Sequence, residues 1–108
     1  MYDVDSFKRF DGQFKDGKRD GLGKEYYVNG KLKYEGNFLG DMYEGAGKYY
    51  AKKHGNLVYD GSWKGNKREG QGEEYFKVTN KGGEGRGFVK YKGEWRQGKW
   101  HGDGQEFS

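Results

Sequence analysis

Cysteine is absent from this 108-residue chain, which excludes a disulfide framework, a thiolate metal site and a cysteine nucleophile. Aliphatic side chains are also scarce, since isoleucine is missing and leucine and valine are few. The mean hydropathy of −1.36 predicts no membrane-spanning segment, because such a segment needs about 20 mostly apolar residues in a row. The N-terminal segment has no apolar run and no glycine at position 2, so we expect neither a secretory signal nor myristoylation.

So small an aliphatic fraction would by itself favour disorder. Two features oppose that interpretation. The net charge is only +4, and the chain contains ten tyrosines and three tryptophans, whose side chains can each bury about 150–250 Å². We therefore expect a folded chain in which aromatic rings replace the aliphatic core. The charge balance, at a pI of about 9.1, is too mild to indicate a nucleic-acid partner.

A repeated pattern accounts for most of this composition. It reads aromatic-x-Gly-x-aromatic, then a turn with glycine or aspartate, then Gly-x-Gly-x-x-aromatic. The four copies begin at Phe10, Tyr34, Tyr59 and Tyr91 and end at Tyr26, Tyr50, Tyr75 and Phe107. A repeated unit that cannot bury its apolar side alone must stack on its neighbours. Function is therefore expected on a shared surface rather than in one pocket.

The pattern closely resembles the MORN repeat, whose units read roughly Tyr-Glu-Gly-x-Trp/Phe-x-x-Gly-Lys-x-x-Gly-x-Gly. Residues 34–38 and 91–99 match it almost letter for letter, and so does the linker 26–32. The resemblance leaves out only an N-terminal lead-in, residues 1–9. It divides the rest of the chain into repeats at 10–33, 34–58, 59–90 and 91–108.

Each repeat predicts one β-hairpin. Tyr59, Gly61 and Trp63 lie at i, i+2 and i+4, which places all three on one face of a strand. A polar, glycine-containing turn follows, as in residues 64–69, and the chain then returns in a second strand. At about 4.8 Å per strand, four hairpins make an all-β fold, an elongated and twisted single antiparallel sheet about 40 Å long.

Glycines in the middle of a strand need a reason, because glycine weakens strands. We interpret them as steric: the missing side chain lets a ring from the neighbouring strand lie flat over the backbone. Turn conformations with positive φ suit Gly17 and Gly98 better. The closing aromatics lie three residues after the last glycine, so either a β-bulge realigns them or they point away from the glycine face. The mid-strand glycines are Gly12, Gly36, Gly61 and Gly93.

No residue pattern predicts catalysis, a cofactor or a metal centre. The two histidines, His54 and His101, have no partner at ligand spacing. Asp20, Glu44 and Glu69 recur, with His101, at the same place before each Gly-x-Gly. This recurrence indicates a structural role such as a turn hydrogen bond, because an enzyme needs one unique constellation. We therefore expect no enzyme activity and no small-molecule substrate.

The glycine-rich segment 79–87 lies between the third and fourth repeats. It lacks the Gly-Lys-Ser/Thr ending of a phosphate-binding loop. We interpret it as an extended, mobile hairpin tip.

The first candidate surface is the aromatic-glycine face. A single-layer sheet has nothing of its own to cover this face, so it predicts a protein-binding groove with tyrosine and tryptophan as anchors. The alternative is that the rings stack on one another as a self-sufficient core. The candidate partner-binding residues are Tyr34, Phe38, Tyr59, Trp63, Tyr91 and Trp95.

The second candidate surface is a basic edge formed by the turns. Lysine and arginine attract anionic lipid at about 1 kcal/mol per residue near a membrane, although Leu39 and Met42 interrupt this row in the second repeat. The alternative is a set of solvated turns next to acids such as Asp16 and Asp20. The candidate lipid-binding residues are Lys15, Lys18, Arg19, Lys64, Lys67, Arg68, Arg96 and Lys99.

The leading hypothesis is a non-catalytic scaffold or adaptor that holds a peptide, a helix or a neighbouring subunit. The resemblance implies an intracellular setting in a cytoskeletal, ciliary or membrane-associated assembly. One alternative is a phosphoinositide-binding or anionic-membrane-binding module that uses the basic edge. Another is an accessory region of an enzyme, since MORN-like arrays precede the catalytic domains of some lysine methyltransferases and lipid kinases.

Overall fold

A computed structural model describes residues 9–76 and 88–107, which form one eight-stranded antiparallel sheet. Every strand pairs with the next one in the chain, so the spatial order is the sequence order. The strands are β1 (Phe10–Lys15), β2 (Lys18–Tyr26), β3 (Leu32–Leu39), β4 (Met42–Tyr50), β5 (Leu57–Lys64), β6 (Lys67–Tyr75), β7 (Val89–Arg96) and β8 (Lys99–Glu106).

The sheet confirms the predicted fold class. It measures 43 × 33 × 15 Å, and the part of the chain that the structure describes contains no helix. The predicted hairpin tip at 79–87 and nearly all of the lead-in lie outside the described residues.

Each repeat folds back through a two-residue turn. Both central residues of the first turn have positive φ, 52° at Asp16 and 81° at Gly17, which is the type I′ geometry that matches the twist of paired strands. The other three turns, at 40–41, 65–66 and 97–98, share this sign. The turns are shorter than the sequence pattern suggested, so the residues directly after them already belong to the second strands.

A bulge follows each turn. Gly12 pairs with Gly23 and Phe14 pairs with Arg19, so residues 20–22 lie opposite Gln13 alone. Gly21 lies in this bulge at φ 95°, where residues other than glycine are strained. The Gln13 side-chain oxygen accepts a hydrogen bond from the Leu22 N–H at 3.0 Å. The first glycine of Gly-x-Gly therefore serves conformation, a role that the sequence did not reveal.

The second glycine of Gly-x-Gly belongs to a row that crosses the whole sheet. A Cβ on Gly12 would lie 2.6 Å from the Gly23 Cα, and a Cβ on Gly23 would lie 2.6 Å from the Phe10 ring. The steric interpretation of the mid-strand glycines is confirmed in that a side chain has no room at these positions. The ring next to Gly12, however, is Phe10 of the same strand, and the neighbouring strand contributes backbone atoms. Direct cross-strand partners form the row Gly12, Gly23, Gly36, Gly47, Gly61, Gly72, Gly93 and Gly104.

Aromatic rings lie over this row and form the core. Neighbouring rings meet edge to face, for example Tyr59 with Trp63 at 5.1 Å and Tyr59 with Trp95 at 5.2 Å between centroids. Edge-to-face contact suits the charge distribution of aromatic rings. We call this side of the sheet the ring face and the other side the polar face. The buried rings of this cluster are Phe10, Tyr34, Phe38, Tyr59, Trp63, Tyr91 and Trp95.

The closing aromatics of the first three repeats point away from the ring face. The register shift next to Tyr26 puts the extra residue, Lys33, on the opposing strand, so alternation within β2 is undisturbed. In the third repeat, the Tyr75 hydroxyl donates to Glu73 Oε1 at 2.6 Å, and residues two apart share a face. The polar-face alternative is therefore the one that the structure adopts.

Candidate functional site

A second layer of flat groups covers the ring core. The Arg19 guanidinium lies 4.9 Å from the Phe38 ring centroid, and the Arg68 guanidinium lies 4.7 Å from that of Tyr59. Cations over aromatic faces are attracted by the ring quadrupole. Both arginines sit in second strands, in the second residue after a type I′ turn.

The other two repeats carry rings at the same position. Tyr43 stacks on Tyr34 with centroids 3.8 Å apart and planes at 3°. Trp100 stacks on Tyr91 with centroids 4.5 Å apart and planes at 6°. We call Arg19, Tyr43, Arg68 and Trp100 the cover layer. The sheet thus supplies its own cover, which the sequence argument did not anticipate.

Burial of the six predicted partner-binding rings follows from this cover. They are 0 to 7% exposed, so their side chains fill the core whether or not a partner binds. Contact between these rings and a partner stays a prediction, and the surface that a partner would meet first is the cover layer. Tyr43, Arg19 and Arg68 are half-buried, whereas Trp100 is 38% exposed.

Two glutamates on the ring face hold the cover layer in place. Glu25 accepts the Tyr43 hydroxyl at 2.6 Å and lies 3.3 Å from Arg19. Glu74 accepts the Trp100 Nε1–H at 2.9 Å and lies 3.6 Å from Arg68. Each glutamate therefore joins the cover residues of two adjacent repeats.

Three tyrosines of the ring face, Tyr34, Tyr43 and Tyr59, have raised pKa values and are neutral at physiological pH. Burial raises the pKa of Tyr59 to about 12, and burial is also the main cause of the raised pKa of Tyr34 and Tyr43. The Tyr34 hydroxyl donates to the Asn37 carbonyl at 2.8 Å, and that of Tyr59 donates to the Ser62 carbonyl at 2.9 Å. These bonds satisfy the buried hydroxyl groups.

A groove of about 510 Å³ runs over the cover layer from the first repeat to the fourth turn. Tyr43, Tyr49 and Trp63 supply its aromatic surface. Its charged groups include four cations and two carboxylates. The lining residues are Arg19, Glu25, Lys33, Asp41, Tyr43, Tyr49, Trp63, Asn66, Lys67, Arg68 and Gly98.

Carboxylates before Gly-x-Gly connect the second, third and fourth turns to the repeat before each of them. The backbone N–H of Gly40 donates to Asp20 at 3.3 Å. The equivalent N–H of Gly65 donates to Glu44 at 3.0 Å, and that of Gln97 donates to Glu69 at 2.9 Å. The structural role predicted for these acids is confirmed.

Asp41 adds a second tie between the first two repeats. Its Oδ1 accepts the Arg19 backbone N–H at 2.8 Å and the Arg19 Nε–H at 3.2 Å. The backbone hydrogen bond, with help from the guanidinium, holds the pKa of Asp41 below its usual value.

The predicted lipid-binding residues occupy two places. Lys15, Lys18, Lys64, Lys67, Arg96 and Lys99 flank the type I′ turns at one edge of the sheet. Arg19 and Arg68 instead lie over the ring core, so they do not join that edge. Leu39 and Met42 flank the second turn and are 54% and 41% exposed. The end of the sheet that the turns form is therefore basic, with an apolar centre at Leu39 and Met42.

Residues 9–76 and 88–107 contain no group of three or more metal-ligating side chains that could hold a metal ion. Across the same residues, the structure has no helix of the length and apolarity needed to cross a membrane.

Comparison with known proteins agrees with the repeat pattern. The sequence model of the MORN repeat matches residues 10–31, 34–56, 59–78 and 91–106. Each segment covers one hairpin, except that β3, β5 and β7 begin two residues before their segments. No curated protein matches the chain at a significant level.

Proposed function

The chain belongs to the MORN repeat family, and we propose that it is a non-catalytic scaffold that binds a protein partner in the groove on its ring face. MORN repeats are often involved in association with proteins or membranes. The groove over the cover layer carries the proposal. We place this function in an intracellular assembly, such as one at the cytoskeleton, the cilium or the membrane periphery.

The dimensions of the groove suit a polypeptide. From Arg19 on β2 to Arg68 on β6 the groove crosses four strand spacings of about 4.8 Å, or about 19 Å. That length accommodates about six residues of extended chain or about thirteen residues of helix. Tyr43, Tyr49 and Trp63 provide the kind of aromatic contact that is enriched at protein interfaces.

The charge of the groove favours an acidic partner. Glu25 is engaged by Arg19 and Tyr43 and also lies 3.8 Å from Lys33, and Asp41 is engaged by Arg19. Lys67 is exposed at the groove rim and forms no ion pair with another described residue. We therefore expect the partner segment to combine carboxylates with aromatic or aliphatic side chains, since complementary charge increases specificity and association rate.

Random peptides of about twelve residues, displayed and selected on the immobilised protein, test this proposal. Selected peptides should be enriched in Asp, Glu and apolar residues. Binding measured by titration calorimetry should weaken at least tenfold, about 1.4 kcal/mol, in the double variant Lys33→Glu/Lys67→Glu, because the substitutions reverse two charges at the groove.

The control is Lys52→Glu/Lys53→Glu, which makes the same change of net charge on two exposed residues of the β4–β5 connection. The control should bind like the unmodified protein. Equal binding by all three proteins, or selection of peptides without acidic residues, would contradict the groove as the binding site.

Membrane association is a second candidate function, which the exposure of Leu39 and Met42 favours. At this edge an apolar pair lies between the lysine pair of the first turn and that of the third. Lysines near anionic lipid and apolar side chains below the headgroups are the two signals that peripheral membrane proteins combine. Leu39 and Met42, which interrupt the basic row in the sequence, would contribute the apolar part.

Vesicles of phosphatidylcholine with 20–30% phosphatidylserine distinguish this function from groove binding. If the edge binds membranes, the quadruple variant Lys15→Glu/Lys18→Glu/Lys64→Glu/Lys67→Glu should no longer sediment with the vesicles, and Leu39→Ser/Met42→Ser should bind more weakly. Added salt should weaken vesicle binding by the unmodified protein, because the Debye length is only about 8 Å at physiological ionic strength. Vesicle binding that is unaffected by both sets of substitutions and by salt would rule out this turn surface as the membrane-binding site.

A further inference from the structure

The three junctions between repeats are built alike. In each, the first glycine of Gly-x-Gly lies opposite an aromatic residue of the next strand, and the second glycine lies opposite a mid-strand glycine. In the first junction, Gly21 pairs with Phe38 and Gly23 pairs with Gly36. The other junctions repeat this with Gly45 opposite Trp63 and Gly70 opposite Trp95. The cover residue of one repeat also packs on that aromatic residue, as Arg19 does on Phe38.

The edge strands, β1 and β8, carry the two halves of this same junction. β8 presents Trp100, Gly102 and Gly104, the counterparts of Arg19, Gly21 and Gly23. β1 presents Gly12 and Phe14, the counterparts of Gly36 and Phe38. Within residues 9–76 and 88–107, β8 pairs with β7 alone, and all eight of its residues are exposed.

Exposure at these edges differs from exposure inside the array. Phe14 is 45% exposed, whereas its counterparts Phe38, Trp63 and Trp95 are 3 to 7% exposed. Trp100 is 38% exposed. In an internal junction these two positions contact each other, so one further junction would cover both rings.

The residues of the turn contact differ at the edge strands β8 and β1. Inside the array, an acid before Gly-x-Gly accepts the N–H of a turn residue that carries no charge: Gly40, Gly65 or Gln97. At β8 the acid is replaced by His101, and the equivalent turn residue next to β1 is Asp16. An imidazole N–H at this position can donate a hydrogen bond to the Asp16 carboxylate.

We propose that β8 of one copy pairs with β1 of a second copy, in the register of the internal junctions. Gly102 then lies opposite Phe14 and Gly104 opposite Gly12, and Trp100 covers Phe14. Because two different surfaces meet, the association is head to tail, and it continues into an open ribbon rather than closing as a symmetric dimer. Neither Phe14 nor Trp100 lines the groove proposed to bind a partner, so this association can be tested independently.

Engineered cysteines report the register, because the full chain has none of its own. In the internal junctions, Leu22 faces Asn37, Ala46 faces Ser62, and Gln71 faces Glu94, so Asp103 should face Gln13. Opposed Cα atoms about 4.5–5.5 Å apart are within the range of a disulfide. Oxidised Gln13→Cys/Asp103→Cys should give a ladder of dimers, trimers and longer species on a non-reducing gel.

Each single-cysteine variant should give little disulfide-linked product. In the control Gln71→Cys/Asp103→Cys, the cysteine at position 13 of β1 is replaced by one at an exposed position of the internal strand β6. This control should also lack the ladder. Efficient dimerisation of Asp103→Cys alone would show symmetric β8–β8 pairing, and an equal ladder in the control would show random collision. Either result would overturn the proposal.

Sedimentation equilibrium of the unmodified chain provides a second measurement. The average mass should rise with concentration above 12.5 kDa and pass the mass of a dimer. Phe14→Lys should reduce the association at least tenfold, whereas Leu22→Lys, the same change at a 63% exposed residue of an internal strand, should not. A monomer at all concentrations, or equal effects of the two variants with circular dichroism unchanged, would refute the head-to-tail junction.

Discussion

Replacing Tyr59 with alanine is expected to lower the free energy of unfolding by about 3 to 5 kcal/mol. Tyr59 has no exposed surface and lies at the centre of the array. Its ring contacts Trp63 and Trp95 edge to face and lies under Arg68. The cavity left by alanine would remove contacts from two repeats at once. Urea denaturation followed by tryptophan fluorescence measures the loss.

The matched control is Tyr59→Phe, which keeps the ring and removes only the hydroxyl bond to the Ser62 carbonyl. We expect it to cost about 1 kcal/mol. A cost of less than about 1 kcal/mol for Tyr59→Ala would show that the ring core contributes little to stability.

The hairpins and their order were predictable because two periods coincide in the sequence. Aromatic and glycine residues alternate at the strand period of two, as at Tyr59, Gly61 and Trp63, and the whole unit recurs four times. A steric role was predictable for the mid-strand glycines, because their alternation with aromatic residues puts both on one face. The glycines of the bulges, such as Gly21, serve conformation instead. Local pattern therefore determined the fold.

The cover layer was missed although the sequence contains a signal for it. Counting back by two from Gly23 through Gly21 reaches Arg19, and residues two apart share a face. The polar residues around Arg19 resemble a longer turn, which hides its position on the ring face. The two-residue turn depends on positive φ at Asp16, a conformation that aspartate adopts only in some contexts.

The faces of the closing aromatics depended on contacts that the sequence does not encode locally. Alternation alone put Tyr26 and Tyr75 on the polar face, but a bulge could have reversed this. The bulge exists, and its extra residue is on the opposing strand, at Lys33 in the first junction. The pairing of both strands decides which of them carries the extra residue. The residue pattern within one strand therefore left the orientation of the closing aromatics open.

Burial of the predicted anchors changes how binding should be tested. Trp63 donates its Nε1–H to the Gly47 carbonyl at 3.1 Å and is 7% exposed. Removing Trp63 would therefore damage the core as well as any interface, and loss of binding would be uninformative. Lys33 and Lys67 lie at the groove and outside the ring core, so their substitution leaves the ring contacts in place. Because Lys33 also lies 3.8 Å from Glu25, circular dichroism should first show that the double variant is folded.

The glycine row provides the strictest test of the packing. A Cβ on Gly61 would lie 2.6 Å from the Gln71 carbonyl oxygen and 2.7 Å from the Tyr59 hydroxyl oxygen, and it would also collide with the Gly72 Cα. Two of these three atoms belong to the backbone of β6, so no change of rotamer relieves the contact. The strands themselves would have to separate at the centre of the sheet.

We therefore expect Gly61→Ala to destabilise the protein by at least about 3 kcal/mol, at the upper end of the range for overpacked sites. Gly98→Ala is the matched control: its Cβ meets nothing within 4 Å, but its φ is +84°, so it should cost only about 1 to 2 kcal/mol through backbone strain. Urea denaturation of the two variants separates crowding from conformation. If Gly61→Ala cost no more than Gly98→Ala, steric exclusion would not be the reason for glycine at the mid-strand positions.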